Sequence, residues 1–240
     1  MSLQNKTVVV LVGSTGLGLA TAKAAQAEGA RVIMTGRSEQ KLQAAQGKLG
    51  DAVSATVLDV TDEVGTRAFF ENLDHMDDLF MTVGAVIGDH RLQPSSDELR
   101  PSMATRFWGA LYAAKYSAAK IATGGSIIFM SGTAARRPLP GAAVTPASTG
   151  AVEAFALDLA PIRVNVIRPG RVDTPFLEEV LGAQREEILA AAAETLPVKR
   201  IARSDEIADA VLFTDEKRIC DGYCTDGGWR DCSFRDSSCV

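Results

Sequence analysis

The chain has 240 residues, 46% hydrophobic and 23% charged, with a formal net charge of −5. That length and hydrophobic content suit one well-buried α/β core. Basic residues come only in small groups such as "ARR" at 135–137 and "VKRIAR" at 198–203, which excludes the broad basic footprint of a nucleic-acid binder.

The opening "TVVVLVG" is too short to span a bilayer, no other run approaches about 20 apolar residues, and a glycine turn follows where a leader would carry its cleavage site. The expectation is a cytoplasmic protein with no membrane and no nucleic-acid partner. Lys6 to Val12 reads as a strand buried on both faces. "GSTGLG" at 13–18 then opens an alanine-rich helix ending at Gly29. Next come a strand at 31–36, a helix at 38–50, a strand at 52–59, a helix at 62–73 and a strand at 78–85. A long helix is expected over Asp97–Ile121, a strand over 125–132, a helix over Ala147–Leu159 and a strand over 162–170. A helical segment at 175–195 has the place of a substrate lid, followed by a helix at 204–213 and a short strand before "DGGW" at 226–229. The alternation predicts a parallel sheet of about seven strands covered on both faces by right-handed crossovers. No linker or repeat divides residues 1–240, so a single Rossmann-like, doubly wound α/β domain is expected.

A strand, a glycine turn and a helix N-terminus together make a phosphate site, because backbone N–H groups and the helix dipole face the anion. Gly13, Ser14, Thr15, Gly16, Leu17 and Gly18 occupy that turn here. A ribose 2′-hydroxyl would be met by a carboxylate after the second strand, but the chain has "TGRS". Arg37 suits a 2′-phosphate, favouring NADP(H) over NAD(H); the alternative is a solvated arginine. Cys220, Cys224, Cys232 and Cys239 have no zinc spacing and no nearby histidine, so no metal is expected, and 230–240 reads as a polar tail.

Together with "LDV" at 58–60, "APIRVNVIRPGRVDTP" at 160–175, "PVKRIARSDEIADAV" at 197–211 and "DGGW", the glycine turn resembles the short-chain dehydrogenase/reductase family over essentially the whole chain. The resemblance implies an NAD(P)-binding domain, a small-molecule substrate and a homodimer or homotetramer. It places Asp59 and Val60 at the adenine, and Pro169, Gly170, Val172 and Thr174 at the nicotinamide. Val12 replaces the first glycine of the family's T-G-x-x-x-G-x-G, and its N-N-A-G becomes Met81, Thr82, Val83 and Gly84.

The catalytic positions depart further. Where the family often reads Y-S-A-S-K-G-A-V, the chain has "TPASTGAV", so Thr145 stands for the tyrosine and Thr149 for the lysine. Gly132 takes the serine position with Ser131 adjacent, and Arg106 of "RFWG" takes the asparagine position. A threonine hydroxyl is far less acidic than a phenol, and Thr149 carries no charge. Arg106 could stabilise an alkoxide, and Ser131 or Thr133 could donate to substrate; the alternative is local pairing. Two readings follow: an NADP(H)-dependent oxidoreductase of a small carbonyl or alcohol with altered catalytic residues, or a non-redox, cofactor-binding regulatory or scaffold protein. Tyr116 and Lys120 spell Y-x-x-x-K, but on the helix before the fifth strand, where helix or subunit packing is expected instead.

Overall fold

The computed structural model describes residues 3–82, 95–138, 142–156, 159, 161–216 and 224–226. In chain order it contains β1 (Thr7–Leu11), α1 (Gly16–Ala27), β2 (Arg31–Gly36), α2 (Glu39–Leu49), β3 (Val53–Val57), α3 (Glu63–Glu71) and β4 (Met76–Met81). Then follow α4 (Ser96–Met103), a π-helical turn (Ala104–Trp108), α5 (Gly109–Ser117), β5 (Ile121–Met130), α6 (Val144–Ala156), β6 (Arg163–Arg168) and β7 (Val172–Asp173). The chain continues through α7 (Pro175–Leu181), α8 (Arg185–Thr195), β8 (Ala202–Arg203), α9 (Ser204–Glu216) and β9 (Cys224–Asp226).

Seven strands form one parallel sheet in the order β3-β2-β1-β4-β5-β6-β9. Alternate residues of each strand face opposite sides, so the sheet builds two cores. Val8, Val10, Val32 and Met34 pack with Ala22 and Ala25 of α1, Leu42 of α2 and Val211 of α9. Val9, Leu11, Leu79, Met81, Ile127 and Phe129 pack on the other face with Phe70 of α3, Ala110 and Ala113 of α5 and Val152 of α6. The fold is the expected Rossmann-like, doubly wound one, and it gathers the C-terminal strand ends along one edge, where such folds bind ligands.

The differences from expectation have local causes. The long helix is interrupted by the π turn and ends at Ser117, because the Lys120 carbonyl accepts Met76 N–H at 2.8 Å and draws the chain into β5 at Ile121. Helix α6 begins three residues early, at Val144, since Pro146 is tolerated in a first turn. The two-residue pair β7–β8 has no pattern of its own in the sequence.

Helix α5 lies on α3. Tyr116 Oη donates to Glu63 Oε1 at 2.6 Å, and Lys120 Nζ donates to the carbonyls of Glu71 and Leu73 at 3.1 and 2.7 Å. These bonds tie one helix to another. The Tyr116 hydrogen bond, then that of Lys115, holds the Glu63 carboxyl below its ordinary pKa. A depressed pKa stabilises the fold above the unfolded-state value and is lost as pH falls through the folded one. Tyr116→Phe is expected to raise the Glu63 pKa toward the ordinary carboxylate value and to leave turnover unchanged. NMR titration and steady-state assay check both, and lost turnover would return the pair to the active site.

Candidate active site

The site begins where β1 stops. Val12 has φ +60°, a left-handed conformation that disfavours a β-branched residue by about 1–2 kcal/mol. The turn persists because its neighbours hold it. Gly13 N–H donates to the Thr35 carbonyl at 2.7 Å, and Thr82 Oγ1 donates to the Val12 carbonyl at 3.3 Å. The chain then doubles back so closely that a Cβ on Gly18 would lie 2.3 Å from the Val12 carbonyl oxygen. Thr15 is the N-cap of α1 but makes no side-chain cap, and the first turn contains no acidic residue. The first N–H groups of α1 therefore have no intrahelical acceptor and present the positive end of the helix dipole. A dinucleotide pyrophosphate fits this cradle. Gly18→Ala is expected to destabilise the fold by about 1–3 kcal/mol, since its clash is with backbone. It should also weaken dinucleotide binding, and urea unfolding and a dinucleotide titration test the pair of effects.

Ser14 packs at the end of β2, its Oγ 3.1 Å from a Cβ built on Gly36, and Leu17 packs against the core on that side. Arg37 is exposed just after β2. Asp59 Oδ1 accepts Thr61 N–H at 2.9 Å and Thr61 Oγ1 at 2.8 Å, and Val60 is buried. At the end of β6, Pro169 accepts Thr133 N–H at 3.1 Å, Gly170 is exposed and Val172 is buried in β7. Thr174 holds the N-cap position of α7 without a side-chain capping bond, and its Cβ and Cγ2 lie 3.7 Å from a Cβ built on Gly16. The segment after β6 therefore lies against the glycine turn. Gly84 and the tail at 230–240 lie outside the described residues. Helix α7 is tied to α2 by Lys41–Glu179 at 3.0 Å, and Arg185 at the start of α8 pairs with Asp173.

The residues expected at the family's catalytic positions lie on α6, in the π turn and just after β5. Arg106 lies in the π turn, which packs against α6; it is 6% exposed, and burial lowers its guanidinium pKa. Thr149 Oγ1 donates back to the carbonyls of Thr145 and Pro146 at 2.8 and 3.0 Å, so its proton is used within the helix. Thr145 is 8% exposed, and its hydroxyl has no hydrogen-bond partner among the described residues. Gly132 is extended, and among the described residues a Cβ there would meet nothing nearer than Thr149 Cγ2 at 3.8 Å. Ser131, 6% exposed, donates to Glu153 Oε1 at 2.5 Å and lies 3.4 Å from the Thr149 carbonyl.

Glu153 and Arg168 were not among the sequence candidates. Glu153, one turn beyond Thr149, accepts Arg168 Nε on Oε1 and Arg168 Nη2 on Oε2, both at 2.7 Å. The side chains are 11% and 5% exposed, making a buried two-pronged ion pair. Arg136, mostly exposed after β5, approaches Glu153 Oε2 at 3.6 Å rather than standing free.

The family model described as enoyl-(acyl carrier protein) reductase matches residues 12–229. The short-chain dehydrogenase/reductase malC of Malbranchea aurantiaca is 28% identical, covering 88% of each chain. The chain belongs to the short-chain dehydrogenase/reductase family. Members of that family, to which this short-chain dehydrogenase/reductase belongs, bind NAD(P). The NADP-dependent (R)-specific alcohol dehydrogenase of Lentilactobacillus kefiri is 27% identical, over 95% of this chain and 97% of its own. The structure of L-sorbose reductase from Gluconobacter frateurii with NADPH and L-sorbose superposes with a TM-score of 0.85 at 25% identity, over 95% of this chain and 97% of that one. Among its described residues, this short-chain dehydrogenase/reductase has no helix long and apolar enough to cross a membrane.

Proposed function

We propose that the chain is an NADP(H)-dependent oxidoreductase acting on a small carbonyl or alcohol, with proton handling that departs from the family's usual relay. The observation that carries the reading is the uncapped start of α1 behind the close approach at Gly18, facing Thr174. Arg37 makes no ion pair or hydrogen bond among the described residues, which suits it to a 2′-phosphate. The relatives described as NADP-dependent or solved with NADPH agree with that choice.

In this reading Gly13 to Gly18 hold the pyrophosphate, Asp59 and Val60 border the adenine, and Pro169, Gly170, Val172 and Thr174 position the nicotinamide. The bound nicotinamide supplies the hydride chemistry. The chain's own part is orientation and charge: Arg106, buried beside α6, offers positive potential to a developing alkoxide. Helices α7 and α8 form a lid over the substrate, excluding water. Trp108 is 46% exposed and contacts Phe107 and Tyr112, an aromatic strip suited to a homodimer or homotetramer contact.

Titration with NADPH and NADH, followed by a screen of carbonyls and alcohols, tests the reading. NADPH is expected to bind more tightly, and Arg37→Ala is expected to weaken NADPH binding by about 10-fold or more while changing NADH binding little. Binding without turnover across the screen would count for a non-redox role. Failure to bind either dinucleotide would end the cofactor reading.

A further inference from the structure

Ser131 has one proton to donate and two lone pairs that accept. Its proton points at Glu153 Oε1 across 2.5 Å, a charge-assisted distance, while its other neighbour, the Thr149 carbonyl, lies 3.4 Å away. Glu153 is in turn held by both prongs of Arg168. The Ser131 hydroxyl is therefore fixed as a donor toward the protein, and only its lone pairs remain for a ligand. The family's neighbouring groups that would screen this corner are reduced, since Gly132 has no side chain and Thr149 is short and turned to its own helix.

We propose that Glu153, acting through Ser131, makes this site a proton acceptor for a substrate hydroxyl, so that it takes secondary alcohols in preference to the matching carbonyls. The inference rests on the oxidoreductase reading above. A carbonyl oxygen brings no proton to a lone pair, whereas an alcohol does. In the oxidation, the substrate O–H bond breaks and its proton passes to Ser131 Oγ, while the proton already on Ser131 passes to Glu153 Oε1. The C–H bonding pair leaves as hydride to the oxidised nicotinamide dinucleotide, and the C=O bond forms. Glu153 then returns its proton to water on the side of Arg136, whose side chain is 69% exposed. Glu153 is the positioning and proton-accepting partner, and Ser131 is the residue that touches substrate.

Two alcohol and ketone pairs serve as probes: cyclohexanol with cyclohexanone, and 2-octanol with 2-octanone. Saturation-transfer NMR on the wild-type protein is expected to give Kd values about fivefold lower for the alcohols, the effect of one net hydrogen bond. The double variant Glu153→Ala/Arg168→Met removes both buried charges and frees the Ser131 proton, and it is expected to lose the preference. For an alcohol that the enzyme oxidises, Glu153→Gln is expected to lower kcat by about 100-fold with KM within about threefold, and Glu153→Asp to recover part of the loss. Binding of neither alcohol, equal binding of alcohol and ketone, a preference that survives in the double variant, or an undiminished kcat in Glu153→Gln overturns the proposal. Alcohol preference with no oxidation of any alcohol leaves the proton arrangement standing and overturns the redox reading instead.

Discussion

Glu153→Ala is expected to lower the unfolding free energy by about 3–5 kcal/mol, among the largest losses available from a single side chain in this protein. Removing Glu153 leaves the Arg168 guanidinium, 5% exposed at the end of β6, without its two carboxylate bonds. It also leaves the buried Ser131 hydroxyl without the acceptor at 2.5 Å. A buried ion pair is a weak source of net stability, because desolvation offsets most of the attraction, but half a pair is costly. The double variant Glu153→Ala/Arg168→Met is therefore expected to recover most of the loss, since an apolar side chain of similar length carries no charge to desolvate. Urea unfolding of the parent, both single variants and the double variant gives the coupling directly, provided the m-values agree. Additive losses would mean that Arg168 finds another partner, and the cluster would not be the anchor joining α6 to β5 and β6. Exposed pairs such as Lys41–Glu179 give the contrast, because solvent screens them and their loss should be near the limit of detection.

The sheet was legible in the sequence because its strands are buried on both faces. "TVVVL" and "RVNVIR" contain the β-branched runs that such strands require, and their ends fall within a residue or two of expectation. The interruption of the long helix was not legible. A π turn inserts one residue into a regular helical pattern, and nothing in "SMATRFWGAL" distinguishes that from continuous helix. Its consequence is local: Arg106 is buried while Trp108, two residues on, stays exposed. The strands β7 and β8 form only because two loops pass side by side, which is a property of the tertiary structure. At the catalytic end, the identities of Thr145, Thr149 and Gly132 were readable, but the direction of each hydroxyl was not. Glu153 does carry a signal in the sequence. A buried strand ending in arginine needs a buried acid, and Glu153 is the one acidic residue between Val144 and Ala156.

Restoring the family's residues by Gly132→Ser, Thr145→Tyr and Thr149→Lys is expected to raise NADPH-linked ketone reduction by about 10²- to 10⁴-fold, the range of a positioned general acid. The backbone permits each change to a different degree. Gly132 is extended, and among the described residues a Cβ there meets only a methyl at 3.8 Å, so serine enters without backbone strain. Thr145 gives up no hydrogen bond, since its hydroxyl has none among the described residues. Thr149 gives up only a bond to its own helix, but lysine must extend out of a position that is 1% exposed. That ammonium would lie four residues before Glu153, the spacing at which helical charges meet. It would compete with Arg168 for the carboxylate and loosen the hold on the Ser131 proton. The triple variant should consequently trade alcohol preference for carbonyl reduction, a coupled change that a simple gain in general-acid strength would not produce. Single reversions should do little, because a phenol with a pKa near 10 needs the ammonium beside it to titrate usefully, and the ammonium alone donates to no relay. Steady-state reduction of the ketone panel, alongside NADPH titrations, decides the matter. Unchanged NADPH affinity with no gain in reduction would mean that Arg106, at the asparagine position, bars the family's geometry, and the departure at this site would then extend beyond the three restored residues.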